Sequence, residues 1–406
     1  MNHSTSIKTL QWVSSLYFFQ SIPFVVVSLI STIIYQQYNL GNVSIAFFTS
    51  LLMIPWAIKP LFAPFLERFA SKKNVTIFAQ FILSILFLAL AISVTSPHFL
   101  IVSSCCFILL AFISSTHDIA SDGVYLLNLD EEKQKRYVAA RSFFYQMGRL
   151  FIKGVLLVVI GQVAFHFRIN VWQLFFLSLF IIGVLLTFYH SLKLPEKEQA
   201  QATSAHYGAI FKEIGSHEEL YVPLLYIFLY NFMDGQLQKI IPLFLLDKTG
   251  LGLNLSQVGE IYGIYGSAAL ISGVFISGFL LTRFSLAQCL RCLTPLLFLS
   301  PLLFLLLAWG RTNELLLYTV LMGYQFILGI TNGAYMGYLL RLANKSMYPM
   351  SMYTVCTSIM ALSYVFWGAI SGMLEQYLGY STFFTYVLAI NCLLIIMTYR
   401  IVTKDV

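Results

Sequence analysis

The chain is built from apolar runs of about 20 residues, the length a helix needs to cross a hydrocarbon core, separated by short polar turns. These windows predict spans near 12–35, 43–66, 75–95, 98–127, 138–162 and 170–190, then near 221–246, 256–281, 287–308, 314–340, 347–372 and 378–401. One long hydrophilic stretch interrupts them, SLKLPEKEQAQATSAHYGAIFKEIGSHEEL at 191–220. The pattern predicts an all-α integral membrane protein of 12 transmembrane helices in two six-helix bundles, 1–190 and 221–406, with the stretch at 191–220 as linker. Composition agrees: 59% of residues are hydrophobic and 10% charged, against about 25% charged in soluble domains, and mean hydropathy is +0.80. A soluble enzyme with a single anchor is excluded. The first run, Trp12–Tyr35, is long enough to span and lacks a small-residue cleavage site, so it reads as a helix that stays.

Charge then orients the spans. The turns that alternate with one side of the membrane carry sixteen lysines and arginines, from Lys8 through Lys72, Lys133, Lys193, Arg283 and Arg341 to Lys404. The opposite turns carry three, Arg168, Lys248 and Arg311. Positive residues stay inside, so both termini and the linker are expected in the cytoplasm of a cell whose inner membrane holds the protein. The net charge of +7 is thereby explained without a nucleic-acid partner. The six cysteines fall almost wholly in apolar runs, and the lone Cys289-x-x-Cys292 has neither a second pair nor a nearby histidine. Neither a disulfide framework nor a metal site is expected.

The halves echo each other at an offset of 215 residues. APFLERFA at 63–70 aligns with GFLLTRFS at 278–285, and Thr116-His117 aligns with Thr331-Asn332. Duplicated halves around a midplane site are the architecture of rocking transporters. APFLERFASKK (63–73) resembles the major facilitator superfamily signature G-x-L-A-D-R-x-G-R-K, with Ala63 and Ala70 for the glycines, Glu67 for the acid and Ser71 before Lys72. The resemblance implies a gate latch for Glu67 and Arg68, with Arg283 as the second-half counterpart; Thr282 stands where that copy should have its acid. HDIASDGVYLL (117–127), RYVAARSFFYQMGRL (136–150) and IPWAIKPLFAPFLERF (54–69) are similar to the muropeptide permease (AmpG-like) and acetyl-coenzyme A transporter branch of that superfamily.

A carboxylate at mid-helix costs about 2.5–3.5 kcal/mol on insertion scales, so such residues usually face a cavity and carry function. Asp118, Asp122 and Tyr125 stand at i, i+4 and i+7 on one face of the fourth span. Lys59 in the second span matches Asp118 in depth, and Arg141 in the fifth matches Asp122, which makes both pairs candidate ion pairs. Arg141, Tyr145, Arg149 and Lys153 follow at intervals of four. Arg149 lies about 18 Å in at 1.5 Å per residue, beyond easy snorkelling. The seventh span contributes Asn231, Asp234 and Gln238 on one face, with Lys239 alongside. Tyr17, Phe18 and Gln20 occupy the equivalent region of the first span. His117 is a possible relay or a bond to a neighbouring helix, and Glu260 sits towards the outer surface. The remaining Phe and Tyr residues are expected mainly against lipid.

Together these features predict a secondary transporter working by alternating access with no cofactor, since no GxxxxGK[ST] is present. Asp118, Asp122 and Asp234 are the proton-coupling candidates. Lys59, Tyr125, Arg141, Tyr145, Arg149, Lys153, Asn231, Gln238 and Lys239 are the substrate-binding candidates. The partners expected are protons, the bilayer and a small anionic solute, which the resemblance implies to be an anhydro-muropeptide, with acetyl-coenzyme A or another bulky anion as the alternative; the chain is expected to act as a monomer. Efflux of drugs or siderophores is the rival within transport. A membrane enzyme on a lipid-linked substrate would need HExxH, GxSxG or a histidine cluster, none of which is present. A sensor that binds without flux is the third class.

Overall fold

The computed structural model describes residues 3–69, 71–195, 207–310 and 313–405. Among them nine helices are long and apolar enough to cross a membrane. In chain order the elements are α1 (Ile7–Gln37), α2 (Asn42–Leu51), α3 (Lys59–Phe69), α4 (Lys72–Ser93), α5 (Phe99–Asn128), α6 (Glu131–Leu150) and α7 (Leu157–Phe167). They continue with α8 (Val171–Lys193), α9 (Tyr207–Ser216), α10 (Tyr221–Tyr230), α11 (Phe232–Leu246), α12 (Leu255–Arg283), α13 (Leu286–Ala308), α14 (Glu314–Asn344) and α15 (Pro349–Asp405).

Four of the expected spans take a different form. The segment 43–66 is not one helix. Pro55 and Pro60 each lack the N–H that would continue the ladder, so α2 stops at Leu51, a single turn follows at Ile54–Ala57, and α3 restarts at Lys59. The segment 221–246 breaks at Asn231, whose backbone leaves the helical region (φ −88°, ψ 10°). Its own side chain explains the break: Asn231 Nδ2 donates to the Ile227 carbonyl at 3.1 Å, the acceptor its backbone N–H would have used. The segments 347–372 and 378–401 run on as α15, interrupted at Gly379, whose φ of 73° no β-carbon tolerates readily. A π-turn over Phe151–Leu156 joins α6 to α7.

The residues group into two compact units, one of 1–31 with 61–204 and the other of 32–60 with 205–406. The division differs from the expected 1–190 and 221–406 at 32–60, the end of the first span and the start of the second. In the first unit α4 packs on α5 and α8, and α1 on α6. In the second, α12 packs on α14, while α15 lies against α2, α10 and α11. The aromatic side chains divide: Phe78, Phe81, Phe165 and Phe188 among others are exposed as expected, while many rings are buried instead. The largest fully buried residues include Tyr17, Tyr35, Tyr226, Tyr324, Tyr335, Phe87, Phe107 and Phe244. Six-atom rings fill interhelical space, and buried phenols need a partner: a carboxylate for Tyr17 and Tyr324, the Thr398 hydroxyl for Tyr226 and the Ile227 carbonyl for Tyr335.

Candidate functional site

In the first unit, α1 approaches α6 closely because Gly148 has no side chain: a β-carbon there would stand 2.0 Å from Ser21 Oγ and 2.6 Å from the Phe18 carbonyl. This approach brings Tyr17 and Arg141 together around Asp122 of α5. The Tyr17 hydroxyl donates to Asp122 Oδ1 at 2.9 Å, and Arg141 Nη2 donates to the same oxygen at 2.9 Å. The guanidinium carbon lies 4.5 Å from the centre of the Tyr17 ring and 5.5 Å from that of Tyr125, within cation–π range. Tyr125 spends its hydroxyl on the Gln134 carbonyl at 2.6 Å. The structure thus brings together Asp122, Tyr125 and Arg141 as their depths suggested, and adds Tyr17. Both charged side chains keep about a third of their surface open, 38% for Asp122 and 32% for Arg141.

Asp118, one helical turn away, is 8% exposed. Lys59, its expected partner by depth, is the first residue of α3. Tyr145 packs on a core of Trp12, Leu16, Tyr17 and Val124, with its ring 6.4 Å from Phe24. Arg149 lies 5.9 Å from the Phe24 ring and 3.5 Å from Gln146 Oε1. Lys153 is 7% exposed. It sits within the π-turn that joins α6 to α7. Ahead of α6, Asp130 caps the helix by accepting the Lys133 N–H, and the Lys133 ammonium beside it holds this exposed carboxyl below its ordinary range. Of the signature-like stretch, the side chains of Glu67 and Arg68 lie outside the described residues. Lys72 Nζ donates to the Leu66 carbonyl at the end of α3.

His117 joins a network that sequence reasoning did not reach. Gln80 of α4 donates its amide N–H to His117 Nε2 at 2.9 Å and accepts at Oε1 from His190 Nδ1 of α8 at 3.0 Å. His190 Nε2 stands 3.0 Å from Ser15 Oγ of α1, and Ser121 Oγ lies 3.4 Å from His117 Nδ1. Gln80, His117 and His190 are wholly buried. The pattern suits two neutral imidazoles, because the Gln80 amide offers a donor to one ring and an acceptor to the other. His117 therefore ties helices together. The signal available in sequence was Gln80 itself, a long amide inside an apolar run.

In the second unit Asp234 is held by phenols. Tyr324 of α14 donates to Oδ1 at 2.9 Å and Tyr364 of α15 to Oδ2 at 2.6 Å. Neither tyrosine could be found from spacing, because each comes from a distant helix. Asn231 does not share the expected face with Asp234 and Gln238: it sits at the break, donates to Tyr335 Oη at 2.8 Å, and Tyr335 stacks on Tyr230 at 4.1 Å. Gln238 is half-buried. Lys239, 2% exposed, donates to the Thr49 carbonyl at 3.1 Å. That carbonyl lies in the last turn of α2, where Met53 N–H turns instead to Ser50, so a cation caps a helix C-terminus. Arg283 is exposed, 5.1 Å from the Phe279 ring. Glu260 accepts from Tyr318 at 3.1 Å.

Each unit thus holds a partly buried carboxylate bonded to phenols, Asp122 to Tyr17 and Asp234 to Tyr324 and Tyr364. The family model described as Major Facilitator Superfamily matches residues 13–370. The chain is 27% identical to "Putative transporter AmpG 2" of Rickettsia bellii over 285 residues, 69% of this chain and 67% of that protein. It is also 27% identical to "Putative transporter AmpG 4" of Rickettsia conorii over 352 residues, 82% of this chain and 81% of the other. Among solved structures, a bacterial homologue of the human lysosomal transporter Spinster superposes with a TM-score of 0.74 at 14% identity, over 100% of this chain and 98% of that one. The nucleoside transporter NupG superposes with a TM-score of 0.71 at 14% identity, over 98% and 99%; these likenesses concern the fold. With a family match across most of its length and the same all-helical architecture, the chain belongs to the Major Facilitator Superfamily of membrane transporters.

Proposed function

We propose that the chain is a proton-coupled secondary transporter of the cytoplasmic membrane, with both termini inside, that moves a bulky anionic solute by alternating access. An anhydro-muropeptide is the first solute to test and acetyl-coenzyme A the second. The reading rests on Asp118, a carboxylate 8% exposed in the middle of an apolar helix. The charge a carboxylate carries depends in general on its exposure to water and on neighbouring cations. A rocking movement of the six-span halves, 1–190 and 221–406, changes both influences, so proton binding biases which arrangement is populated. Asp118 is the leading carrier and Asp234 the second. Arg149 and Lys153 meet the acidic groups of the solute. Asp122 and Arg141 form a gating pair, and Glu67, Arg68 and Arg283 latch the cytoplasmic side. The AmpG names of the relatives support this branch.

The test is uptake of radiolabelled anhydro-muropeptide into proteoliposomes under an imposed inward proton gradient. Gradient-driven accumulation is expected, and it should be lost in Asp118→Asn while facilitated exchange persists. Accumulation by Asp118→Asn at the parental rate removes Asp118 from the proton role. Failure of both solutes to move under any gradient overturns the assignment.

A further inference from the structure

Residues 32–60 belong by sequence to the first six spans, yet they pack within the second unit. There α2 and α15 meet along a seam so tight that Gly372 is required: a β-carbon on it would stand 2.5 Å from the Asn42 carbonyl oxygen and 2.7 Å from Ala46 Cβ. At the end of this seam, just before the break in α15, four polar side chains form one line. Asn42 Nδ2 donates to Glu375 Oε2 at 3.0 Å and to Tyr380 Oη at 3.2 Å. The Tyr380 hydroxyl donates onward to Asp247 Oδ2 at 3.0 Å. A carboxyl group stands at each end.

The two ends are not equivalent. Asp247 is half-buried and accepts the Thr249 N–H at 3.0 Å as well as the Tyr380 hydroxyl, donors that hold an ionised carboxylate. Glu375 is 6% exposed, and among the described residues it receives a single donor, the neutral Asn42 amide, with no cation paired to it. The groups around it are Asp247 at the end of α11, followed by the exposed Lys248, then Tyr380 on its own helix, and from α2 only Asn42. A carboxylate buried this way is costly as an anion, and a second carboxylate nearby adds to the cost. As a neutral acid Glu375 still accepts the Asn42 amide through its carbonyl oxygen.

We propose that Glu375 is a proton-binding site that locks the α2–α15 seam: it holds a proton while the seam is closed and releases it when α2 parts from α15. The proposal rests on the carrier reading above, since a carrier that rocks its halves has to part these helices in one of its two arrangements. Parting exposes Glu375 to water and restores ordinary carboxylate acidity. The proton then binds the closed seam more tightly than the open one. Closure is favoured below the closed-seam titration and loses that support as pH rises through it. A tenfold difference in proton affinity changes the closed-to-open ratio by up to tenfold across the titration.

The test uses the full chain with its six native cysteines replaced and Ser50→Cys introduced. Ser50 is wholly buried in the seam and its hydroxyl has no hydrogen-bond partner, so the replacement costs no bond. Its rate of methanethiosulfonate labelling is divided, at each pH, by that of Leu315→Cys, a position 77% exposed, which cancels the reagent's own pH dependence. The ratio is expected to rise at least threefold from pH 5 to pH 8, and to stay low and flat in Glu375→Gln. A flat parental profile, or one that survives Glu375→Gln unchanged, overturns the proposal. If Glu375→Gln does not fold, Glu375→Asp keeps a titrating carboxyl and should move the midpoint; an unmoved midpoint is equally fatal. Flux with a flat profile removes Glu375 alone, whereas a rising profile without flux removes the carrier reading alone.

Discussion

Gln80→Met tests whether the buried polar line of the first unit acts as a structural tie. Methionine nearly matches glutamine in length and volume, so packing is retained while both polar atoms are lost. The change leaves His190 Nδ1 without its acceptor at 3.0 Å, and leaves His117 Nε2 with only the more distant Ser121 hydroxyl at 3.3 Å in place of the Gln80 amide at 2.9 Å. Both rings are wholly buried, and neither can turn to water. Side-chain hydrogen bonds in membrane proteins average only about 0.6 kcal/mol in mutant cycles, but a buried group left unsatisfied costs about 1–3 kcal/mol. One orphaned nitrogen and one weakened contact therefore predict a loss of about 1–3 kcal/mol. The assay is reversible unfolding in mixed micelles, followed through the fluorescence of the five tryptophans. The control is the same substitution in a His117→Phe, His190→Phe background, where no nitrogen is left to orphan and the cost of Gln80→Met should fall to about 1 kcal/mol or less. An equal cost in both backgrounds, or a loss under about 0.5 kcal/mol in the parent, refutes the reasoning.

Gly148→Val forces a side chain into the 2.0 Å gap before Ser21 Oγ; the expected cost is about 1–3 kcal/mol in the same unfolding assay, with Arg141 drawn away from Tyr17. Asp247 lies beyond the end of α11, and its carboxyl is held below the ordinary range: burial pushes it up, but the Thr249, Tyr380 and Asn42 bonds outweigh that effect. A depressed folded-state value contributes stability that is present above the unfolded carboxylate range and is lost as pH falls through the folded value. The parent should therefore lose stability on acidification through that window, and Asp247→Asn should lose less; parallel pH–stability curves for the two would exclude the effect.

Much of the fold was legible because the bilayer imposes a length and an apolar character that any span must show. The helices at 99–128, 171–193 and 314–344 lie within a few residues of the expected spans. The interruptions were less visible. Proline marked the break between α2 and α3, but nothing local distinguished Asn231 as a residue that would take its own helix's carbonyl. Depth arguments paired Asp122 with Arg141 because both lie near one end of adjacent spans. Depth says nothing about azimuth, so it could not find Tyr17, Tyr324 or Tyr364, nor the line from Ser15 through His190 and Gln80 to His117.

The sequence by itself determined that the chain is built of membrane-length apolar helices, where most of them lie along the chain, and which ionisable groups fall inside apolar runs. Each of these follows from local quantities: apolar length, proline position and the number of residues from a charged turn. Only the tertiary structure decided what those groups touch. Asp234 meets phenols, Lys239 caps a helix, His117 bonds to an amide, and Asn42 reaches Glu375 across more than three hundred residues. A helix presents its side chains around a full circle, and which arc faces which neighbour is set by packing against helices far away in the chain.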